Sequence, residues 1–164
     1  MKAKKAGVSI SLMVLAGVAF FTLSGFDYSR HSIPLDDISD GGPGKDGIPS
    51  IDNPHFLTIA EADQSLMQNE DRVLGFVHND QARAYPIKIL NWHEIVNDRV
   101  GGNPVVISFC PLCGTGMIFD SHVKNRNLKF GVSGLLYQSD MLLYDRQTES
   151  LWSQIKSEAV TGPM

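Results

Sequence analysis

Basic residues are scarce in this sequence once its N-terminus is set aside. Three of the 14 lysines and arginines are Lys2, Lys4 and Lys5, so 11 remain against 18 acidic residues, a net charge of −7 for the rest of the chain. Proteins that bind nucleic acid use clustered Lys and Arg to neutralise phosphates. Nucleic acid is therefore not an expected partner.

Several catalytic signatures are also missing. The segment His93-Glu94-Ile95-Val96-Asn97 lacks the second histidine of the metalloprotease helix motif. The segment Gly131-Val132-Ser133-Gly134 lacks the final spacing of a hydrolase nucleophile elbow. Because no Gly-rich phosphate loop precedes a helix either, the sequence predicts no nucleotide cofactor.

Charge is absent from residues 6–26, a run that follows the three N-terminal lysines. About 20 apolar residues can cross a bilayer, and preceding lysines favour a cytoplasmic N-terminus. The segment predicts export, with the rest of the chain in the periplasm or at the cell surface and the membrane as a partner. Thr22 and Ser24 suit a cleaved signal peptide, but the lack of Ala-x-Ala favours an uncleaved anchor.

The remainder divides into an arm and one domain. Residues 27–54 are rich in Gly and Pro, which predicts an irregular linker. Residues 55–164 carry short apolar runs separated by turn residues, which predicts a single β-rich domain. The expected fold class is α+β: a β-rich meander with one or two short helices, preceded by the N-terminal hydrophobic helix of residues 1–26.

Two helices are expected in the domain. Thr58 and Glu61 form a capping-box pattern, which predicts a helix over residues 59–68. A second helix is predicted from Pro86 to about Asn97, because Ile89, Trp92, His93 and Val96 recur at helical spacing and would form one inward stripe.

Apolar runs predict the strands. Residues 73–77 and 82–85 should form a hairpin across residues 78–81. The continuous run over residues 105–109 predicts a buried strand that ends at Cys110. Further strands are expected over residues 117–119, 128–132 and 141–144.

The two cysteines, Cys110 and Cys113, are the strongest chemical signal. They lie within Cys110-Pro111-Leu112-Cys113-Gly114, and the strand-like residues 117–119 follow, so the pair is expected in a turn between two strands. A thioredoxin-like pair would instead sit at a helix N-terminus, where the helix dipole activates the first thiol. A Cys-Pro-x-Cys-Gly turn is typical of a metal-binding knuckle, as in rubredoxin-like and zinc-ribbon sites.

His93 is the candidate third metal ligand, since two thiolates do not complete a tetrahedral shell. It would lie on the inward face of the helix preceding the cysteine-bearing strand, and Glu94 beside it could orient a ligand or accept a proton. The alternative is a core histidine whose ring bonds a backbone carbonyl.

Three motifs together resemble one prokaryotic family. They are Trp92-His93-Glu94-Ile95-Val96-Asn97-Asp98, Cys110-Pro111-Leu112-Cys113-Gly114-Thr115 and Phe130-Gly131-Val132-Ser133-Gly134-Leu135-Leu136. They are similar to the domain-of-unknown-function family numbered 3179, from about Gly42 to Gln154. The resemblance implies no activity, but it supports treating His93 and the cysteines as one constellation. It also implies a family domain that continues beyond Met164, where further ligands could lie.

Three functions follow from the sequence. The first is an extracytoplasmic domain that binds zinc or copper through Cys110, Cys113 and His93. The second is a thiol-disulfide oxidoreductase in which the more exposed cysteine attacks and the other resolves the mixed disulfide. The third is a non-enzymatic envelope interaction domain whose cysteines only pack or close a loop.

Overall fold

Strands account for most of the regular structure in the computed structural model, which describes residues 25–65 and 67–164. Within those residues the strands are β1 (Ile38–Asp40), β2 (Ile51–Asp52), β3 (Val73–His78), β4 (Gln81–Pro86), β5 (Ile95–Val100), β6 (Asn103–Cys110), β7 (Thr115–Asp120), β8 (His122–Val123), β9 (Arg126–Asn127), β10 (Phe130–Tyr137), β11 (Asp140–Asp145), β12 (Leu151–Ser153) and β13 (Glu158–Ala159). The β-rich, largely antiparallel part of the predicted fold class is confirmed.

Among the described residues, two short α-helices accompany the strands, α1 (Ile59–Ser65) and α2 (Ile87–His93), with one 3-10 turn at Leu35–Asp37. No helix in the described part of the chain is long and apolar enough to cross a membrane. The predicted N-terminal hydrophobic helix falls almost entirely on residues 1–24, which lie outside the described residues.

The strands form two main sheets. The first has the order β1-β10-β11-β12-β13 and is antiparallel throughout. The second has the order β2-β5-β6-β7, in which β2 runs parallel to β5 and the other pairs are antiparallel. The hairpins β3-β4 and β8-β9 stand as separate two-stranded ribbons.

The core lies between the two sheets and on their outer faces. Ile95, Val106 and Cys110 of the second sheet pack against Phe130 and Val132 of the first. Alternate residues of β5 and β6 point the other way, into a second cluster that also contains Tyr85 and Leu90. Because both faces of β6 are covered, its sequence is a continuous apolar run and not an alternating one.

The arm of residues 27–54 contributes β1 and β2 to the sheets. Ile38 pairs with Tyr137, and Ile51 pairs with Val96. Between these strands the Asp46 amide donates a hydrogen bond to the Val132 carbonyl, and the Gly41 amide donates to the Gly134 carbonyl. The arm is therefore largely irregular but hydrogen-bonded to both sheets.

Two local predictions are confirmed in detail. The β3-β4 hairpin turns at Asn79 and Asp80, both with positive φ. At the start of α1, Glu61 accepts hydrogen bonds from the Thr58 amide and hydroxyl at 2.8 Å each, and the Glu61 amide donates back to the Thr58 hydroxyl. This reciprocal arrangement is the capping box that the sequence predicts.

The second predicted helix is wrong in its C-terminal part. The helix α2 ends at His93, because Glu94 takes φ 56° and the β-branched residues after it pair with β6. Val96 is therefore a strand residue. Trp92 is 77% exposed, so its predicted inward position is also wrong.

Candidate functional site

The candidate site is the turn that joins β6 to β7. Cys110 ends β6 and pairs with Thr115 at the start of β7, so the four residues between them form the connecting loop. The Gly114 amide closes the loop by donating to the Cys110 carbonyl at 2.8 Å. Gly114 has φ 68°, a left-handed conformation that glycine adopts without steric cost. The predicted position of the knuckle between two strands is confirmed.

The two cysteines occupy opposite environments. Cys110 is 2% exposed and belongs to the core cluster between the sheets, whereas Cys113 is exposed to solvent. Both are free thiols, and the Cys113 thiol donates to the Cys110 backbone carbonyl at 4.0 Å. The knuckle thus presents one accessible sulfur and keeps the second directly behind it.

This difference in burial separates the acidities of the two thiols. Burial, and after it the neighbouring Cys113 side chain, raise the pKa of Cys110 to about 11. For Cys113 the slight burial acts in the same direction, but hydrogen bonds from Cys110, from the Thr115 side chain and from backbone amides outweigh it. The pKa of Cys113 is therefore below its ordinary value, and the exposed sulfur is the more readily ionised.

A cleft of about 260 Å³ lies beside the knuckle and is lined in part by Cys110. Its walls come from the end of α2, the knuckle, the arm and β10, and they include Asn91, Glu94, Cys110, Pro111, Gly41 and Gly134. Burial raises the pKa of the Glu94 carboxyl. Glu94 is the possible proton acceptor that the sequence predicts. It lines the same cleft as Cys110, whereas Cys113 does not line it.

His93 is held by the arm. Its Nδ1 atom lies 2.8 Å from the Pro49 carbonyl oxygen, which is the kind of backbone contact expected of a structural histidine. Within residues 25–65 and 67–164 no three His, Cys, Asp or Glu side chains are grouped as a metal site requires. The structure brings Cys110 and Cys113 together but does not place His93 in a three-donor cluster with them.

The predicted metal is zinc or copper, and its fit depends on the donor atoms of the knuckle. Two adjacent thiols suit a soft cation, but they supply half of a tetrahedral shell. The predicted metal at Cys110, Cys113 and His93 stays a prediction.

Gln154 is a residue of the site that the sequence analysis did not identify. It is fully buried, and its Nε2 donates to the Ser108 hydroxyl at 3.0 Å and to the Thr115 carbonyl at 3.2 Å. It therefore supports β6 and β7 from the first sheet, directly below the knuckle. Its Oε1 is buried without a hydrogen-bond partner in the described part of the chain. The sequence signal for it is its place at the end of the span that resembles the family, from about Gly42 to Gln154.

A second buried polar group fixes the arm beside the site. The Asn97 side chain donates to Asp52 and to the Phe130 carbonyl and accepts from the Phe130 amide, each at 2.8 Å. Arg146 donates to the other oxygen of Asp52 at 2.7 Å. One amide thus ties together the arm, β5 and β10, which a sequence pattern cannot reveal because its partners lie more than 30 residues away.

Comparison with known proteins assigns a family without an activity. The family model described as "Protein of unknown function (DUF3179)" matches residues 45–164, which include the knuckle, Glu94 and Gln154. No curated protein and no solved structure matches the chain.

Proposed function

The chain belongs to the DUF3179 family, and because that family carries no assigned activity, we propose from the geometry of the knuckle that the protein is an extracytoplasmic thiol-disulfide oxidoreductase. Cys113 is the attacking residue and Cys110 the resolving residue. The proposal places the protein outside the cytoplasm, held at the membrane by residues 1–26, in a compartment where disulfides persist.

The observation that carries the proposal is the unequal exposure of two free thiols on one four-residue turn. Exchange begins when an accessible thiolate attacks a disulfide, and it needs a second thiol close to the first to release the product. Cys113 is exposed, and Cys110 is buried three residues before it, with its backbone carbonyl accepting from the Cys113 thiol. The order is the reverse of a helix-terminal pair, because here the second cysteine of the motif is the accessible one.

The exchange proceeds in two steps. The Cys113 thiolate attacks a substrate disulfide, so one S–S bond forms to Cys113 and one substrate sulfur leaves as a thiolate. Cys110 then loses its proton and attacks the Cys113 sulfur, releasing the second substrate sulfur. The substrate disulfide gains two electrons and becomes two thiols, while the protein becomes the Cys110–Cys113 disulfide. In reverse, the oxidised protein transfers its disulfide to a substrate dithiol.

Removal of the resolving thiol provides the test. The reduced full chain is incubated with glutathione disulfide, and the products are separated by mass spectrometry. We expect wild type to form the internal disulfide and release two glutathiones, while Cys110→Ser accumulates a stable mixed disulfide at Cys113. Cys113→Ser is the matched control and should acquire little glutathione, since Cys110 is buried. Equal labelling of the two variants, or none of either, would refute the proposal.

Metal binding is the second candidate, and the adjacency of the two thiols on one turn is the observation that favours it. A zinc or copper ion held by Cys110 and Cys113, with His93 as the predicted third ligand, would take its remaining ligands from water or another chain. Metal analysis of protein prepared without a nickel column should then find about one equivalent, lost when both cysteines become serine. A substoichiometric content in reduced protein would count against this candidate.

The third candidate, a non-enzymatic envelope domain, is distinguished by the same double variant. If the protein with both cysteines changed to serine keeps its fold and its cellular role, the sulfurs only pack the turn.

A further inference from the structure

A second and larger cleft lies away from the cysteines. It has a volume of about 480 Å³, within the usual range for small-molecule sites. The β3-β4 hairpin forms one wall, α1 and the segment before it form the other, and Leu90 and Val96 form part of the floor. Two apolar side chains stand at its rim, Leu57 at 53% and Ile59 at 84% exposure. We name this cleft the hairpin groove.

Arg83 is the one arginine or lysine among the lining residues of this groove, which are otherwise apolar except for His55, Thr58 and Tyr85. Arg83 projects from β4, and its guanidinium carbon lies 4.2 Å from the centroid of the Phe56 ring. Phe56 in turn packs edge-on against Tyr85, with ring centroids 5.7 Å apart. Packing against the Phe56 ring therefore holds the arginine in position. Such stacking suits the planar guanidinium of arginine better than the ammonium of lysine.

Arg83 has no compensating anion in the part of the chain that the structure describes. Its Nε atom is buried and has no hydrogen-bond partner there, and no Asp or Glu forms a salt bridge with it. The carboxylate of Asp98 is hydrogen-bonded to Tyr85 and not to Arg83: it accepts from the Tyr85 hydroxyl at 2.8 Å. A buried donor without a partner is costly, and an arginine is always charged.

We propose that the hairpin groove binds a medium-chain aliphatic carboxylate, with the acyl chain on the apolar walls and the carboxylate on Arg83. The acyl chain would cover the apolar walls of the groove. The carboxylate would accept a hydrogen bond from the Nε–H of Arg83, which has no partner in the described residues. The site is independent of the cysteine pair, because none of its lining residues belongs to the knuckle or to the cleft beside Glu94.

Charge selects this occupant over the alternatives. The chain apart from its N-terminal lysines is acidic overall, so the attraction of the groove for an anion is local to Arg83. A purely apolar partner, such as a second copy of the same groove, would bury the guanidinium without pairing it and would bring two like charges together. A single-chain carboxylate satisfies the arginine and needs no wider contact surface.

Isothermal titration calorimetry of the full chain tests the proposal with three probes of equal chain length: decanoate, decan-1-ol and decyltrimethylammonium. We expect saturable binding of one decanoate, binding of the alcohol that is about tenfold weaker, and no binding of the cation. Octanoate and dodecanoate should differ from decanoate by up to about fourfold in Kd per methylene while the chain remains buried. Equal affinity for all three head groups would overturn the proposal.

Variants locate the site. Arg83→Gln should weaken decanoate binding about tenfold and leave decanol binding unchanged, whereas Arg126→Gln, on β9, should change neither. Ala82→Trp fills the groove and should abolish binding of both, and a circular dichroism spectrum like that of wild type would show that the variant is folded. The Cys110→Ser, Cys113→Ser double variant should still bind decanoate.

Two other occupants would appear as contrary results. Sedimentation of a wild-type dimer that Ala82→Trp converts to monomer would assign the groove to a second copy of the chain. Groove-dependent binding to phosphatidylcholine vesicles without saturable binding of decanoate would assign it to a bilayer surface. Either result, like unchanged decanoate affinity in Arg83→Gln, would overturn the proposal.

Discussion

In the reduced protein, brief alkylation with iodoacetamide at pH 8 is expected to label Cys113 and spare Cys110. Thiolates are the reactive species, and a thiol with the pKa of about 11 that burial gives Cys110 is roughly 0.1% ionised at this pH. A thiol at the unperturbed pKa of 9.0 is roughly 9% ionised. The pKa of Cys113 lies below that value, so ionisation alone favours Cys113 by at least about 90-fold.

Intrinsic nucleophilicity opposes this preference. A thiolate of higher pKa attacks faster, with a Brønsted slope of about 0.4–0.5, which returns a factor of about ten to Cys110. The net preference for Cys113 is therefore at least about tenfold before access is considered. Because Cys110 is only 2% exposed, the reagent reaches it with difficulty and the preference increases further.

Peptide mass spectrometry after a time course of labelling measures the two rates separately. Cys113→Ser and Cys110→Ser report each thiol alone, and Thr115→Val should slow the labelling of Cys113 severalfold at pH 7, since it removes a hydrogen bond that lowers the pKa of that thiol. Comparable rates at the two cysteines in wild type would refute the reasoning, because they would mean that the buried sulfur is open to solvent.

Two stability predictions concern the support of the site, both measured as free energies of unfolding in urea. Gln154→Ala should cost about 2–4 kcal/mol, since it leaves a cavity and removes the donor to the Thr115 carbonyl; a loss below about 1 kcal/mol would contradict this role. Burial raises the pKa of Asp52, but hydrogen bonds from Arg146 and Asn97 lower it by more, so its folded pKa lies below the unfolded value. Asp52→Asn should therefore cost about 1–2 kcal/mol at pH 7, and the difference should disappear as the pH falls below about 4 and through the folded pKa. A difference that stayed constant down to pH 2 would exclude this linkage.

The strands after residue 100 were predictable because local signals coincide there. The run that forms β6, the cysteine turn and the β10-β11 turn each combine apolar residues with turn residues. The predicted second helix is longer than α2 because Val96 falls at helical spacing from Ile89. The β-branched side chain of Val96 nevertheless favours a strand. Only the left-handed conformation of Glu94 and the pairing with β6 decide between the two.

The candidate site was predictable in its position but not in its environment. The motif places two cysteines on one turn, whereas the burial of Cys110 depends on packing against β10, which lies 20 residues further along the chain. The contact of His93 with Pro49 and the support from Gln154 join residues more than 35 positions apart. The unpaired guanidinium of Arg83 likewise depends on which carboxylates the fold turns away from it.

The β6-β7 loop also limits what a bond between its two sulfurs would do to folding. A disulfide from Cys110 to Cys113 closes a ring of only four residues, and the loop-entropy relation gives such a ring about 2 kcal/mol, against about 4.7 kcal/mol for a ring of 100 residues. Oxidation of the pair therefore stabilises the fold by less than half as much as a long-range disulfide would. The constraint that the disulfide adds is local to the β6-β7 loop. The two sheets can therefore be folded in both the oxidised and the reduced protein.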